Sequence, residues 1–240
     1  MALKTLIFTA TYNEKDNIRA LVGDLLQAVP HADVLVVDDG SPDGTGRMLD
    51  EMKHAQSRLK VIHRSGKLGL GTAHIAGMNF ARDQGYDQLV TMDADFSHLP
   101  SDIPRLLQAL DAGADFVIGS RYMPGGVCAY TGYRKFISVM ANVLARMLLG
   151  IPLHEFTTSF RAFRVDFLRT IDLTTIQAKG YSFFLEVVFR LHRAGARMRE
   201  VPIHFADREH GVSKIPKFEI FNGMMRLLRL TLERVGIKFS

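Results

Sequence analysis

The chain has 240 residues, of which 47% are hydrophobic and 23% charged, so one α/β domain with a sizeable core is expected. The formal net charge of +5 suits an anionic ligand or a membrane surface. The basic residues are scattered, without the stripe that nucleic-acid binding requires. The single cysteine, Cys128, excludes an intramolecular disulfide and is typical of a reducing compartment. We expect neither a signal peptide nor a membrane-spanning segment.

Apolar, β-rich segments alternate with amphipathic segments along the chain. The predicted strands are 3–10, 34–37, 59–63, 89–92, 115–119 and 198–205. The segment after the first strand has apolar residues at helical spacing, and Asn13 is a candidate N-cap for it. This alternation predicts an α/β fold with a mostly parallel sheet flanked by helices.

Polar residues follow three of the predicted strands, as the pairs Asn13/Glu14, Asp38/Asp39 and Asp93/Asp95. Ligands of such sheets bind at the carboxyl ends of the strands, where these pairs should meet. Each pair could alone be turn or cap residues. Three polar pairs at one edge favour a binding site.

The sequence Asp93-Ala94-Asp95 is a weak metal signal by itself, because such residues are more often turn or cap residues, and it gains weight from the rest of the chain. On an extended chain residues i and i+2 point the same way, so both carboxylates would face one spot unless the chain turns between them. Crowded carboxylates suit a hard divalent cation. Such an ion also neutralises a diphosphate, so the pattern suggests nucleotide-diphosphate chemistry.

A glycine-rich stretch, Gly66 to Gly71, follows the third predicted strand. Its backbone N–H groups could cradle phosphate, with Lys67 adding positive charge. The spacing matches neither a P-loop nor the dinucleotide-binding pattern, so a tight turn is an equal alternative.

Seven motifs occur in order, at 10–14 (ATYNE), 36–45 (VVDDGSPDGT), 67–73 (KLGLGTA), 92–98 (MDADFSH), 119–122 (GSRY), 134–138 (RKFIS) and 207–214 (DREHGVSK). Together they resemble the family-2 inverting glycosyltransferases of the GT-A fold, and among these the dolichyl- or polyprenyl-phosphate mannosyltransferases. The resemblance implies one Rossmann-like GT-A domain over 1–240. Residues 1–125 would bind the nucleotide sugar, and 126–240 would bind the acceptor and end in an amphipathic helix.

The resemblance also implies roles for individual residues. Those around the nucleotide sugar would be Thr11, Tyr12, Glu14, Asp39, Lys67, Asp93, Ala94, Asp95, Arg208 and Lys214. Those that face the acceptor phosphate would be Arg121, Arg134 and Ser138, and the catalytic set would be Asp95, Arg121 and Arg134. The residues that hold Mg²⁺ or Mn²⁺ would be Asp93 and Asp95, with Ser97 where some relatives have a Gln that joins the metal. A hydroxyl is a weaker ligand than that amide. Ser159 departs from a Gly common in relatives, which affects the acceptor side.

The implied reaction moves mannose from GDP-mannose to a polyprenyl phosphate with inversion, dependent on the metal. One alternative is a polyprenyl-phosphate glucosyltransferase or another family-2 enzyme that uses a UDP-sugar. A second, from a different class, is a non-catalytic nucleotide-sugar binder. A nucleic-acid-binding protein is disfavoured because the chain lacks a basic stripe.

Two apolar stripes mark the second half of the sequence. They consist of Phe136, Met140, Val143 and Met147, and of Phe218, Phe221, Met225, Leu228, Leu232 and Val235. Such stripes more often pack into a core, although basic amphipathic helices also lie on membranes. The lipid acceptor implies a cytoplasmic protein bound peripherally to the cytoplasmic face of a membrane, directly or through a membrane-anchoring partner.

Overall fold

The computed structural model describes residues 3–176, 180, 182–206 and 217–237, with the backbone alone at 217–220. The strands are β1 (Thr5–Thr11), β2 (Asp33–Asp38), β3 (Leu59–His63), β4 (Gln88–Asp93), β5 (Phe116–Ser120), β6 (Val127–Cys128), β7 (Arg161–Arg164), β8 (Met198–Pro202) and β9 (His204–Phe205). The helices are α1 (Lys15–Ala28), α2 (Thr45–Ala55), α3 (Leu70–Asp83), α4 (Ile103–Asp111), α5 (Gly132–Leu149), α6 (Val165–Leu168), α7 (Ser182–Arg193) and α8 (Lys217–Arg234). Short 3-10 turns cover Pro100–Asp102 and Leu173–Thr175.

Seven strands form one sheet in the order β3-β2-β1-β4-β7-β5-β8. All neighbours are parallel except β7, which runs antiparallel between β4 and β5. The mostly parallel α/β sheet predicted from the sequence is confirmed. The predicted last strand, 198–205, is divided at Ile203 into β8 and β9, and β9 pairs with β6.

The alternation of side chains along β1 divides the core into two layers. Leu6 and Phe8 belong to the layer that α3, α6 and α7 cover. Ile7 faces the opposite layer, which α1 and α4 cover. All three side chains are fully buried, so the sheet is covered on both faces where it carries the site.

The N-terminus of α1 differs from the prediction. Asn13 lies in the left-handed region with φ of 61°, so it does not cap the helix, and Glu14 takes the N-cap position. The N–H groups at this end are bound by the loop after β2. Lys15 N–H donates to Asp43 Oδ2 at 3.1 Å, and Glu14 N–H donates to Thr45 Oγ1 at 3.1 Å. A cap from another loop replaces the local one and ties that loop to α1.

On α5 and α8, most stripe residues whose side chains the structure describes (that of Phe218 is outside them) face solvent, so packing into the core, the commoner of the two alternatives, does not hold for these side chains. We call them the α5/α8 face: Tyr133, Phe136, Met140, Val143, Leu144, Met147, Leu148, Phe221, Met224, Met225 and Leu228. The exposed fraction reaches 62% at Phe136 and 69% at Met147. Smaller sets of residues attach each helix to the core, such as Ala145 and Leu149 of α5. Periodicity showed that both helices are amphipathic but could not show which side the core would take.

The C-terminal helix α8 is attached by charge as well as by apolar packing. Leu227 and Leu230 enter the core. Glu186 of α7 is fully buried and accepts from Arg190 and from Arg226 of α8. Among the described residues, no helix is long and apolar enough to cross a bilayer.

The contact between α3 and β1 gives a test of packing. A Cβ atom on Gly77 would lie 2.4 Å from Cδ2 of the buried Phe8, whereas a Cβ on Gly23 of α1 would have no neighbour within 4 Å. Both glycines are within helices, so the helix propensity gained by Gly→Ala is similar. We expect Gly77→Ala to be less stable than Gly23→Ala by about 1–3 kcal/mol in urea denaturation, because overpacking forces the ring to move. Equal stabilities would contradict this packing.

Candidate active site

The carboxyl ends of β1 and β2 are joined by one side-chain and one backbone hydrogen bond. Thr11 Oγ1 donates to Asp38 Oδ1 at 3.3 Å, and Asp39 N–H donates to the Thr11 carbonyl at 3.0 Å. Asp38 also accepts from the Ser41 hydroxyl at 2.5 Å and from Ser41 N–H at 3.2 Å. Asp38 is therefore the residue that shapes the turn, and this turn presents Asp39 to the site.

Asp39, expected at the nucleotide, is paired with Arg64, which directly follows β3. Arg64 Nη2 donates to Asp39 Oδ2 at 3.3 Å, and Arg64 Nε lies 2.9 Å from Oδ1. Burial raises the pKa of the Asp39 carboxyl above its ordinary value, although Arg64 acts in the opposite direction. Sequence reasoning missed Arg64, although its place after a parallel strand was a usable signal.

Tyr12, Glu14 and Lys67 lie around the same strand ends. Lys67 Nζ sits 4.5 Å from the centroid of the half-exposed Tyr12 ring, a cation–π contact that joins the loop after β1 to the glycine-rich stretch. Glu14 Oε2 accepts from Asn17 Nδ2 at 2.7 Å. The residues expected on the donor side thus lie together at the ends of the first three strands.

The Asp93–Asp95 segment turns as soon as β4 ends. Phe96 lies in the left-handed region with φ of 58°, a conformation that is uncommon outside glycine and is often found at functional sites. Asp95 is buried, and its Oδ1 accepts from Ser97 N–H at 3.1 Å and from the Ser97 hydroxyl at 2.5 Å. The Asp93 side chain is 32% exposed. Ala94, between them, is buried.

Two carboxylates and one hydroxyl are a plausible donor set for a hard cation. Across the described part of the chain, no group of three or more His, Cys, Asp or Glu residues forms a metal cage. Mg²⁺ usually binds to one or two carboxylates together with substrate phosphates and water. Asp93 and Asp95 fit that arrangement. The Ser97 hydroxyl donates to Asp95. Its role as a metal ligand stays a prediction.

A buried histidine, His98, supports Asp93 and was not singled out from the sequence. Its Nδ1 lies 3.8 Å from Asp93 Oδ2 and 3.4 Å from Asp93 N, and its Nε2 lies 2.9 Å from Thr158 Oγ1. The ring stacks on Phe160 with centroids 5.1 Å apart. It therefore connects the acidic turn to the segment before β7.

Arg121, which follows β5, forms a buried ion pair with Glu155. Its Nε donates to Oε2 at 2.8 Å and its Nη2 to Oε1 at 3.0 Å, and Nη2 also lies 3.1 Å from Thr157 Oγ1. Burial opposes both charges, but the pairing prevails, so the pKa of Glu155 is lowered and that of Arg121 is raised. Two of the three guanidinium nitrogens of Arg121, Nε and Nη2, are thus bound to residues 155–157.

Two tyrosines link the remaining acceptor-side residues. The Tyr130 ring lies 3.7 Å from the Cζ atom of Arg134 and 5.6 Å from that of Arg121. The Tyr122 hydroxyl donates to Ser138 Oγ at 2.7 Å. The structure therefore brings Arg121, Arg134 and Ser138, the residues expected at the acceptor phosphate, close to two tyrosines that the expectation did not include.

Phe205 of β9 joins the acidic turn to this arginine group. Its ring centroid lies 5.2 Å from that of His98 and 4.6 Å from Arg121 Cζ. Next to it, Ala206 N–H donates to the Ser97 carbonyl at 3.1 Å. The predicted metal and acceptor groups are therefore neighbours. Arg208 and Lys214, predicted at the diphosphate, lie outside the described residues.

Two known proteins are similar over most of their length. A polyprenol monophosphomannose synthase of Mycolicibacterium smegmatis is 45% identical over 226 residues, which cover 93% of this chain and 85% of the relative. An undecaprenyl-phosphate mannosyltransferase of Micrococcus luteus is 47% identical over 214 residues, which cover 89% of this chain and 88% of the relative.

Glucosyl-3-phosphoglycerate synthase of Mycobacterium tuberculosis, solved with Mn²⁺, UDP and glucosyl-3-phosphoglycerate, has a similar structure. The TM-score is 0.69 at 20% sequence identity, covering 100% of this chain and 82% of that one. At this identity the likeness establishes the fold, which is the GT-A fold expected from the motifs. The family model described as glycosyl transferase family 2 matches residues 6–172. The chain belongs to glycosyl transferase family 2.

Proposed function

We propose that this glycosyltransferase moves mannose from GDP-mannose to a polyprenyl phosphate. The observation that carries the proposal is the position of Arg121, Arg134 and Ser138 next to the Asp93–Asp95 turn, through His98 and Phe205. An enzyme that transfers a sugar from a nucleotide diphosphate to an acceptor phosphate must hold two mutually repelling anions close together. The mannose and the polyprenyl phosphate in the names of both relatives support the choice of substrates.

On the donor side, Asp93 and Asp95 would hold a divalent cation together with the diphosphate of the nucleotide sugar. Such an ion neutralises the charge that develops on the leaving diphosphate. The Mn²⁺ in the structurally similar synthase supports a divalent metal, either Mn²⁺ or Mg²⁺. Thr11, Tyr12, Glu14, Asp39 and Lys67 would surround the nucleotide at the ends of β1 to β3.

On the acceptor side, no strong general base is needed because a lipid phosphate is already anionic at neutral pH. Arg134 would supply the positive charge through a guanidinium that matches phosphate oxygens. The Ser138 oxygen already accepts from Tyr122, so its own hydroxyl proton can be donated to the phosphate. Arg121 would contribute its remaining nitrogen while Glu155 fixes its position. Direct attack from this side inverts the anomeric centre.

The α5/α8 face suits a bilayer that contains the lipid acceptor. The sequence of α5 includes Arg134, Lys135 and Arg146 and no acidic residue, so its charge complements anionic lipid. Arg134 lies in the first turn of α5, so the expected acceptor site is at the end of the helix where this apolar surface begins. We therefore place the enzyme peripherally on a membrane. Its location at the cytoplasmic face stays a prediction.

The second candidate is a family-2 transferase that uses a UDP-sugar, which the UDP of the structurally similar synthase supports. Assays of sugar transfer to undecaprenyl phosphate, with GDP-mannose and UDP-glucose compared at equal concentrations, decide between the two. We expect transfer from GDP-mannose. Transfer from UDP-glucose alone would establish the second candidate, and nucleotide-sugar binding without transfer would indicate a non-catalytic binder.

Replacing Asp95 by Asn should reduce mannose transfer by roughly a hundredfold or more, because an anionic metal ligand is lost. The amide oxygen can still accept from Ser97, so the turn should remain folded. The control is Asp166→Asn, which makes the same chemical change at an exposed carboxylate paired with Arg164. Near-normal turnover by folded Asp95→Asn, or by the native enzyme in EDTA, would contradict the metal assignment.

Replacing Arg134 by Ala should raise the KM for undecaprenyl phosphate about ten- to a hundredfold. This range corresponds to the free energy that a hydrogen bond to a charged group typically contributes. The KM for GDP-mannose should hardly change. Steady-state kinetics with each substrate varied in turn measure both constants. Arg19→Ala, which removes an exposed arginine from α1, is the control. A donor defect with unchanged acceptor dependence would move Arg134 to the other side of the site.

Replacing both Phe136 and Met147 by Ser should weaken binding to vesicles of phosphatidylglycerol by roughly tenfold or more, because two large apolar side chains no longer enter the lipid. Vesicle flotation measures this binding. Leu3→Ser changes an exposed apolar residue outside the two helices and should have little effect. Unchanged flotation, together with loss of a concentration-dependent dimer, would instead assign the face to a second copy of the chain.

A further inference from the structure

Tyr130 lies between two cationic side chains just before α5. The Arg134 Cζ atom is 3.7 Å from the centroid of its ring, and the Arg121 Cζ atom is 5.6 Å away. An atom beside the ring edge cannot approach the centroid as closely as Arg134 does, so this guanidinium lies over the ring face. Phe205 meets the ring nearly perpendicularly, at 79° with centroids 5.2 Å apart. The ring is thereby fixed against β9.

We propose that Tyr130 is a positioning residue that holds the Arg134 guanidinium in place for the acceptor phosphate. The inference rests on the proposed function of Arg134. It adds a residue that would not itself contact the substrate but would act through the arginine.

The two arginines of the acceptor group are held in different ways. Glu155 binds Arg121 through two hydrogen bonds and compensates its charge. An aromatic face attracts a guanidinium through its quadrupole and carries no net charge. The contact with Tyr130 therefore restrains Arg134 and, unlike the contact of Glu155 with Arg121, adds no negative charge beside the guanidinium.

Restraint matters because an arginine side chain has several rotatable bonds. Its rotamer entropy amounts to about 2 kcal/mol, part of which is lost whenever it orders around a ligand. A side chain that is already ordered loses less on binding, so affinity rises without a new contact to the ligand. The ring of Tyr130 would provide this preorganisation.

The alternative is that Tyr130 only packs against Phe205 and supports β9. In that case its loss would lower stability and disturb the site whether or not Arg134 is present. The two possibilities differ in whether the effects of the two residues are coupled, and a double-mutant cycle measures that coupling.

The test is isothermal titration of the full chain with farnesyl phosphate, a short prenyl phosphate that needs neither vesicles nor donor. Five proteins are compared: the native chain, Tyr130→Phe, Tyr130→Leu, Arg134→Ala and the double variant Tyr130→Leu/Arg134→Ala. We expect Tyr130→Leu to weaken binding about three- to tenfold, the usual range for a cation–π contact. Tyr130→Phe keeps the ring face and should retain most of the affinity. In the Arg134→Ala background, Tyr130→Leu should have no further effect.

Three results would overturn the inference. They are unchanged affinity in Tyr130→Leu, equal losses in the Phe and Leu variants, and additive losses in the double variant. A fourth would be the absence of farnesyl phosphate binding to the native chain, because Arg134 would then not bind the phosphate for which Tyr130 is proposed to position it. Thermal unfolding of each variant separates loss of fold from loss of affinity. If the cycle behaves as expected while no mannose is transferred from GDP-mannose, the proposed function fails and the role of Tyr130 stands.

Discussion

The buried ion pair between Arg121 and Glu155 is the interaction on which the proposed acceptor half of the site depends. Two charges away from water are tolerated only when their geometry is good and further hydrogen bonds satisfy them. Here Thr157 donates both its N–H and its hydroxyl to Glu155, at 3.0 and 2.8 Å. Loss of either charged partner would leave the other buried without compensation. The pair therefore fixes the end of β5 against the segment before β7, and the tyrosines and Phe205 are arranged around it.

A second buried arginine fixes the other end of that segment. Arg161, at the start of β7, donates to the carbonyls of Thr158, Phe184 and Phe156 at 2.8, 2.9 and 2.7 Å. Burial lowers the pKa of its guanidinium to about 9, although Glu155 acts in the opposite direction. Because β7 runs antiparallel, it begins at the edge where the parallel strands end. The reversal of one strand thus brings Thr158 to His98 and so connects the acceptor half to the acidic turn.

The position of the residues expected on the donor side could be predicted from the sequence because it follows a general rule. Parallel strands end at one edge, so the residues after β1, β2 and β4 had to meet there. The rest depended on contacts between segments distant in sequence. The roles of His98 and Tyr130 depend on their contacts with Thr158 and Arg134. The short strand β7 could not be recognised because it has no alternating apolar pattern. The stripes of α5 and α8 were recognised as amphipathic, but core packing and membrane contact both stayed open, since a helical period does not specify what covers the apolar side.

The position of Arg134 in the first turn of α5, the helix that carries part of the α5/α8 face, would have a kinetic consequence. Exposed apolar residues run along α5 from Tyr133 to Met147, which at about 1.5 Å per residue is a length of roughly 20 Å. A helix with such a stripe lies along a bilayer rather than through it. The arginine at its start would then stand at the level of the lipid headgroups. The acceptor would reach the enzyme by lateral diffusion, with its tail still in the membrane. The effective concentration of the acceptor would be set by its mole fraction among the lipids. Dilution of the acceptor with inert lipid would therefore slow the reaction, just as dilution with water slows a reaction in solution.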